Sequence, residues 1–215
     1  MHNDSPQLQI YAVDIGSEKK GRLAWCRLSA HADTEDTAGT SLTALADLLK
    51  ADFIAGHPIT IGFECPLVID LRDEPAELTS ARTGEGNRAW CAGAGSGALA
   101  VGLAQCAWLF ERLVCVKALV RPTFLWSDLA SGRANFLVWE AFVSNKPEGH
   151  THASDALAAA RAFQQGAASS DGPLSSITFS APHSIYSLAG AALLRAGLST
   201  DLALLRQPCL VVRPS

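Results

Sequence analysis

The first apolar run of the chain, Tyr11-Ala12-Val13-Asp14-Ile15-Gly16-Ser17, is broken by one acid, and a Lys19-Lys20-Gly21 turn then leads into a second run, Leu23-Ala24-Trp25-Cys26. Residues 9–17 and 22–29 have the composition of a β-hairpin, with Gly21 supplying the backbone freedom its turn needs. Burying an acid alone inside such a strand is costly. Asp14 therefore requires a metal, a hydrogen-bonding partner or an exposed strand end.

The remaining pattern alternates helical and strand segments. Leucines at 42, 45, 48 and 49 behind Ser41 predict a helix over 41–50, and Ile59-Thr60-Ile61-Gly62-Phe63-Glu64 reads as a buried strand that stops at Pro66, leaving Glu64 at its end. Residues 72–97 lack periodicity and predict a long loop, and the nearly all-apolar 98–114 a buried helix. Strands are expected over 118–126 and 136–144, the second carrying Glu140, and an alanine-rich helix opens near Asp155 and runs to about Gln165. After a linker at 166–175, a strand at 176–179, a helix near 185–196 and a last strand at 208–212 follow. The order predicts a mixed α/β layer fold.

At 215 residues we expect one domain over 1–215, with 166–215 a C-terminal extension on the same core. No apolar stretch is long enough to span a bilayer, and the N-terminus has neither the basic nor the apolar region of a secretory signal, so a cytoplasmic location is expected. The six cysteines form no CxxC pair and have apolar neighbours, which predicts small buried hydrophobes rather than a zinc site. A formal net charge of −4 excludes a global pull toward nucleic acid, so any such partner must be met by a local cleft.

Four acids stand at predicted junctions: Asp14, Glu64, Glu140 and Asp155. Carboxylates drawn together repel, and a hard divalent cation is the usual reason to assemble them. A pair of such ions suits phosphodiester cleavage. The stretches Val13-Asp14-Ile15-Gly16-Ser17, Ile61-Gly62-Phe63-Glu64-Cys65-Pro66-Leu67, the strand around Glu140, and Ser154-Asp155-Ala156-Leu157 resemble a family of predicted nucleases of the RNase H-like superfamily, catalogued as a domain of unknown function. The similarity covers roughly residues 9–165 and reaches into the tail. It implies an α/β RNase H-like three-layer fold: a mixed central sheet with antiparallel first three strands, flanked by helices. It also implies Mg²⁺ or Mn²⁺ held by Asp14, Glu64, Glu140 and Asp155 in a two-metal nuclease. The family more often carries aspartate where this chain has Glu64, whose carboxylate reaches one methylene further.

Other residues admit two readings. Asp155 in a first helical turn is also explained by the helix dipole, and Glu140 on an exposed strand face would need no partner. His150 and His152 are candidate proton carriers or ligands, or simply part of a polar turn. Gly93-Ala94-Gly95-Ser96-Gly97 before a helix could cradle an anion, though it lacks the lysine of a P-loop. Arg82, Arg88 and Lys20 are candidate phosphate-binding residues, against ion pairing of the arginines with Glu74, Glu77 or Glu85. The competing function is a non-catalytic ligand- or partner-binding protein on the same scaffold.

Overall fold

Alternation along β1 (Gln9–Asp14) sends Ile10 and Ala12 to one face of a sheet and Tyr11 and Val13 to the other, and every residue of the strand is buried. A strand covered on both faces must lie at the centre of a layered fold. The computed structural model, which describes residues 6–29, 36–86, 89–143, 150–179 and 184–214, places it there.

In chain order, β1 and β2 (Ala24–Ser29) form the expected hairpin, with Gly21 in the left-handed region at φ 65°. β3 (Thr37–Gly39), α1 (Leu42–Ile54), β4 (Ile59–Phe63) and β5 (Val68–Asp70) follow. Next come α2 (Ala94–Arg112), β6 (Pro122–Thr123), α3 (Trp126–Ala130), β7 (Phe136–Ala141) and α4 (His152–Ala167). The chain closes through β8 (Ile185–Ser187), α5 (Leu188–Arg195) and β9 (Val211–Val212). Among the described residues the main sheet has the order β3-β2-β1-β4-β7-β6, with β9 also on β7. Its first three strands are antiparallel, and from β1 onward the pairings with β4, β7, β6 and β9 are parallel. This is a mixed central sheet, antiparallel in its first three strands, as the resemblance implies.

Helices cover both faces. Tyr11, Val13, Ile61, Phe63, Phe136 and Val138 pack under α1, α2 and α5, while Ala12, Leu137 and Trp139 meet α4. On the α4 side small residues allow close approach: Ala156, Ala159 and Ala160 are buried, and Trp139 stacks on Phe163 at 4.7 Å between ring centroids. Gly62 lies under that indole, where an added Cβ would stand 2.4 Å from the ring. Gly62→Ala should therefore cost about 1–3 kcal/mol by overpacking, lowering the thermal midpoint by roughly 2–12 °C. A melting curve that superimposes on wild type would refute this packing.

Several expected elements differ. Residues 114–119 form a 3-10 turn, and the strand expected over 118–126 shrinks to Pro122–Thr123 before α3, since Pro122 supplies no ladder N–H. The strand expected at 176–179 reduces to a bridge between Thr178 and Thr83. The helix expected near 185–196 opens as β8, which pairs with β5 in a separate two-stranded sheet. Four cysteines are buried as expected, and burial pushes their thiols up, Cys26 to about 12. Cys91 is only half-buried and Cys115 is exposed, because both sit on turns outside the core. No helix among the described residues is long and apolar enough to cross a membrane.

A candidate metal centre and its cleft

Because β1, β4 and β7 run parallel, their carboxyl ends share one edge of the sheet, and the sheet changes from antiparallel to parallel pairing at β1. Open α/β sheets characteristically bind ligands at such an edge. Asp14 ends β1 there. Glu64 follows β4 directly, its N–H donating to the Val13 carbonyl at 2.8 Å, which fixes it beside Asp14. Asp155 comes from the first turn of α4, which packs across β1 and β2. That turn is fastened by a capping box in which Thr151 accepts from the Ser154 N–H and the Ser154 side chain accepts from the Thr151 N–H.

One carboxylate oxygen from each of Asp14, Glu64 and Asp155 lies within 4.8 Å of the other two. The extra methylene of Glu64 thus does not prevent convergence. Asp14 is 5% and Asp155 2% exposed, so their charges sit in a medium where repulsion is weakly screened. Two imidazoles meet them: His152 Nδ1 stands 2.6 Å from Asp14 Oδ2, and His150 Nδ1 bonds Asp155 Oδ1. Both histidines thereby orient the acids. The polar-turn reading of this segment is incomplete.

Glu140 does not join the cluster. Its two oxygens accept from Arg82 at 2.5 and 2.9 Å, and Oε2 also accepts from the Leu67 N–H at 2.9 Å. Arg82, open to phosphate contact or to ion pairing from the sequence, is 2% exposed and spends its donors inside the protein. Its Nε and backbone N–H donate to Glu85 at 2.8 and 2.7 Å, and Nη1 also donates to the Val68 carbonyl at 3.0 Å. The physical reason is desolvation: Glu85 and Glu140 are 4% and 1% exposed, and two buried anions demand a buried cation. Burial works against the guanidinium charge, but the two carboxylates outweigh it and hold the group protonated more firmly than usual. The ion-pair alternative for Arg82 therefore describes the molecule, as a buried rather than a surface contact. Lys20 is exposed at the hairpin tip, in the 3-10 turn Glu18–Lys20, and Arg88 lies outside the described residues.

The Arg82 network walls a cleft of about 670 Å³. Glu64 belongs to both cleft and acid cluster, and Trp90, Phe142, Val143 and the start of α2 line the rest. Gly93 precedes α2 at φ 54°, a backbone conformation that favours glycine. Sequence reading missed Trp90, which lies in the aperiodic 72–97 segment, and Phe142, which stands in the strand pattern over 136–144 where nothing distinguishes a cleft wall from a core residue. Among known proteins the chain matches no family model, and no curated protein or solved structure matches it significantly.

Proposed function

We propose that this chain is a metal-dependent phosphodiester hydrolase acting on nucleic acid, built on an RNase H-like scaffold. The observation that carries the reading is the convergence of Asp14, Glu64 and Asp155 within 4.8 Å, from three distant segments, beside an open cleft. The antiparallel opening of the sheet and its parallel continuation support the scaffold assignment.

The three acids fit a hard divalent cation. Ligand oxygens about 2.1 Å from an octahedral ion stand roughly 3–4.2 Å apart, so the observed spacing needs only a small contraction. Mg²⁺ or Mn²⁺ in this position would supply electrostatic stabilisation of phosphoryl oxygens and a nucleophile from water at neutral pH. Asp14, Glu64 and Asp155 would hold it, and His152 and His150 keep Asp14 and Asp155 aimed. A second ion of the expected pair loses Glu140 as a ligand, because Arg82 already occupies that carboxylate.

Calorimetric titration with Mn²⁺ should show saturable binding, and a chromogenic phosphodiester should be hydrolysed in Mn²⁺ but not in EDTA. Absence of both results would defeat the reading. The histidine contacts favour a second one, since imidazoles already accompany Asp14 and Asp155. In that case the scaffold binds a ligand without chemistry, and Mn²⁺ gives no heat.

A further inference from the structure

The cleft that Glu64 enters has the size of a small-ligand site, its 670 Å³ lying within the roughly 300–1,000 Å³ such pockets occupy. Among the described residues no lysine or arginine lines it, and the guanidinium behind it, Arg82, is already committed to Glu85 and Glu140. Duplex DNA presents about one negative charge per 1.7 Å of its axis, and a surface that tracks it needs matching cations. Besides Glu64, Glu85 and Glu140, the side chains described along it are apolar.

Two of them are aromatic, Trp90 and Phe142, and both are held in place. Trp90 is fixed at two points, its backbone N–H donating to Glu85 at 3.3 Å and its indole N–H to the Ser80 carbonyl at 3.2 Å. Phe142 is anchored by its N–H to the Val212 carbonyl at 2.9 Å and by the Arg213 guanidinium, 4.5 Å from the ring centroid. Rings immobilised beforehand lose little entropy when another ring stacks on them. The start of α2 borders the same space, and its dipole favours a negative group there.

We propose that the cleft receives an unpaired nucleobase against Trp90 and Phe142, so that the chain acts on single-stranded nucleic acid and not on a duplex. The inference rests on the phosphodiesterase reading for its chemistry, through Glu64, which faces the cleft and belongs to the acid cluster. The base would supply affinity by stacking, while the one adjoining phosphate would be met by the divalent cation that Asp14, Glu64 and Asp155 would hold.

Fluorescence anisotropy of the full chain in Ca²⁺ separates the terms, using labelled oligothymidylate, an abasic oligomer of the same length and a blunt duplex. Oligothymidylate should bind at least about tenfold more tightly than either of the others. Trp90→Ala should weaken it by about five- to 100-fold, the range of one lost stacking contact, and Trp90→Phe should restore most of the loss. Circular dichroism of both variants should match wild type. Equal binding of the abasic oligomer or the duplex, no binding of any probe, or a Trp90→Ala variant that binds normally would overturn the proposal. The two readings fail separately: duplex cleavage indifferent to Trp90 removes the nucleobase site and leaves the hydrolase, whereas base-dependent binding without EDTA-sensitive hydrolysis does the reverse.

Discussion

Arg82→Met should lower the stability of the chain by about 3–5 kcal/mol, the cost of leaving buried charge without its partner. The substitution keeps an unbranched side chain of similar length but strands Glu85 and Glu140, which are almost wholly buried. It also removes the donors that join the Val68 carbonyl to both carboxylates. Urea denaturation measures the loss. Glu140→Gln should cost distinctly less, because Arg82 retains Glu85, and adding it to Arg82→Met should recover part of the deficit. Glu140→Gln should also leave Mn²⁺ affinity near wild type, since Glu140 stands outside the acid cluster. An Arg82→Met variant within about 1 kcal/mol of wild type would show that the network contributes no more than an exposed ion pair.

Asp14→Asn should have the opposite profile. Losing the charge that ends β1 should weaken Mn²⁺ binding and reduce hydrolysis by roughly 10²–10⁴-fold, as several kcal/mol of transition-state stabilisation depart with the ion. Its thermal midpoint should remain at or above that of wild type in EDTA, because three carboxylates within 4.8 Å repel and the substitution relieves them. A purely structural Asp14, existing to hold His152, predicts the reverse: a lower midpoint and unaltered hydrolysis. Calorimetry and melting on the same sample decide between them.

The two variants mark how far the chain could be read before folding. The alternating apolar residues of β1, β4 and β7 announce buried strands, and an acid closing each of the first two is visible as a break in that pattern. The position of Asp155 in a first helical turn is also legible, from the alanine-rich run that follows it, whereas the capping by Thr151 and Ser154 that fastens the turn is seen only in the fold. Partner choice was not legible. Arg82 meets Glu140 across 58 residues, and nothing near either one distinguishes a guanidinium that binds phosphate from one that neutralises a neighbour. Periodicity reports which face a residue takes, not which charge opposes it. Short elements escaped for a related reason: β5 and β8 have three residues each, too few to show a period, and exist because they pair with each other.

Asp14 and His152 lie 138 residues apart in the chain, and Arg82 must wait for β7 before its second carboxylate exists. Contacts this remote form late, after the loop entropy separating them has been overcome. During synthesis the β1–β2 hairpin can form early, but its acid has no companions from α4 until 138 further residues have emerged. The carboxylate cluster is therefore a late product of assembly, and a nascent or truncated chain ending before α4 carries the first strands of the sheet without the complete acid cluster.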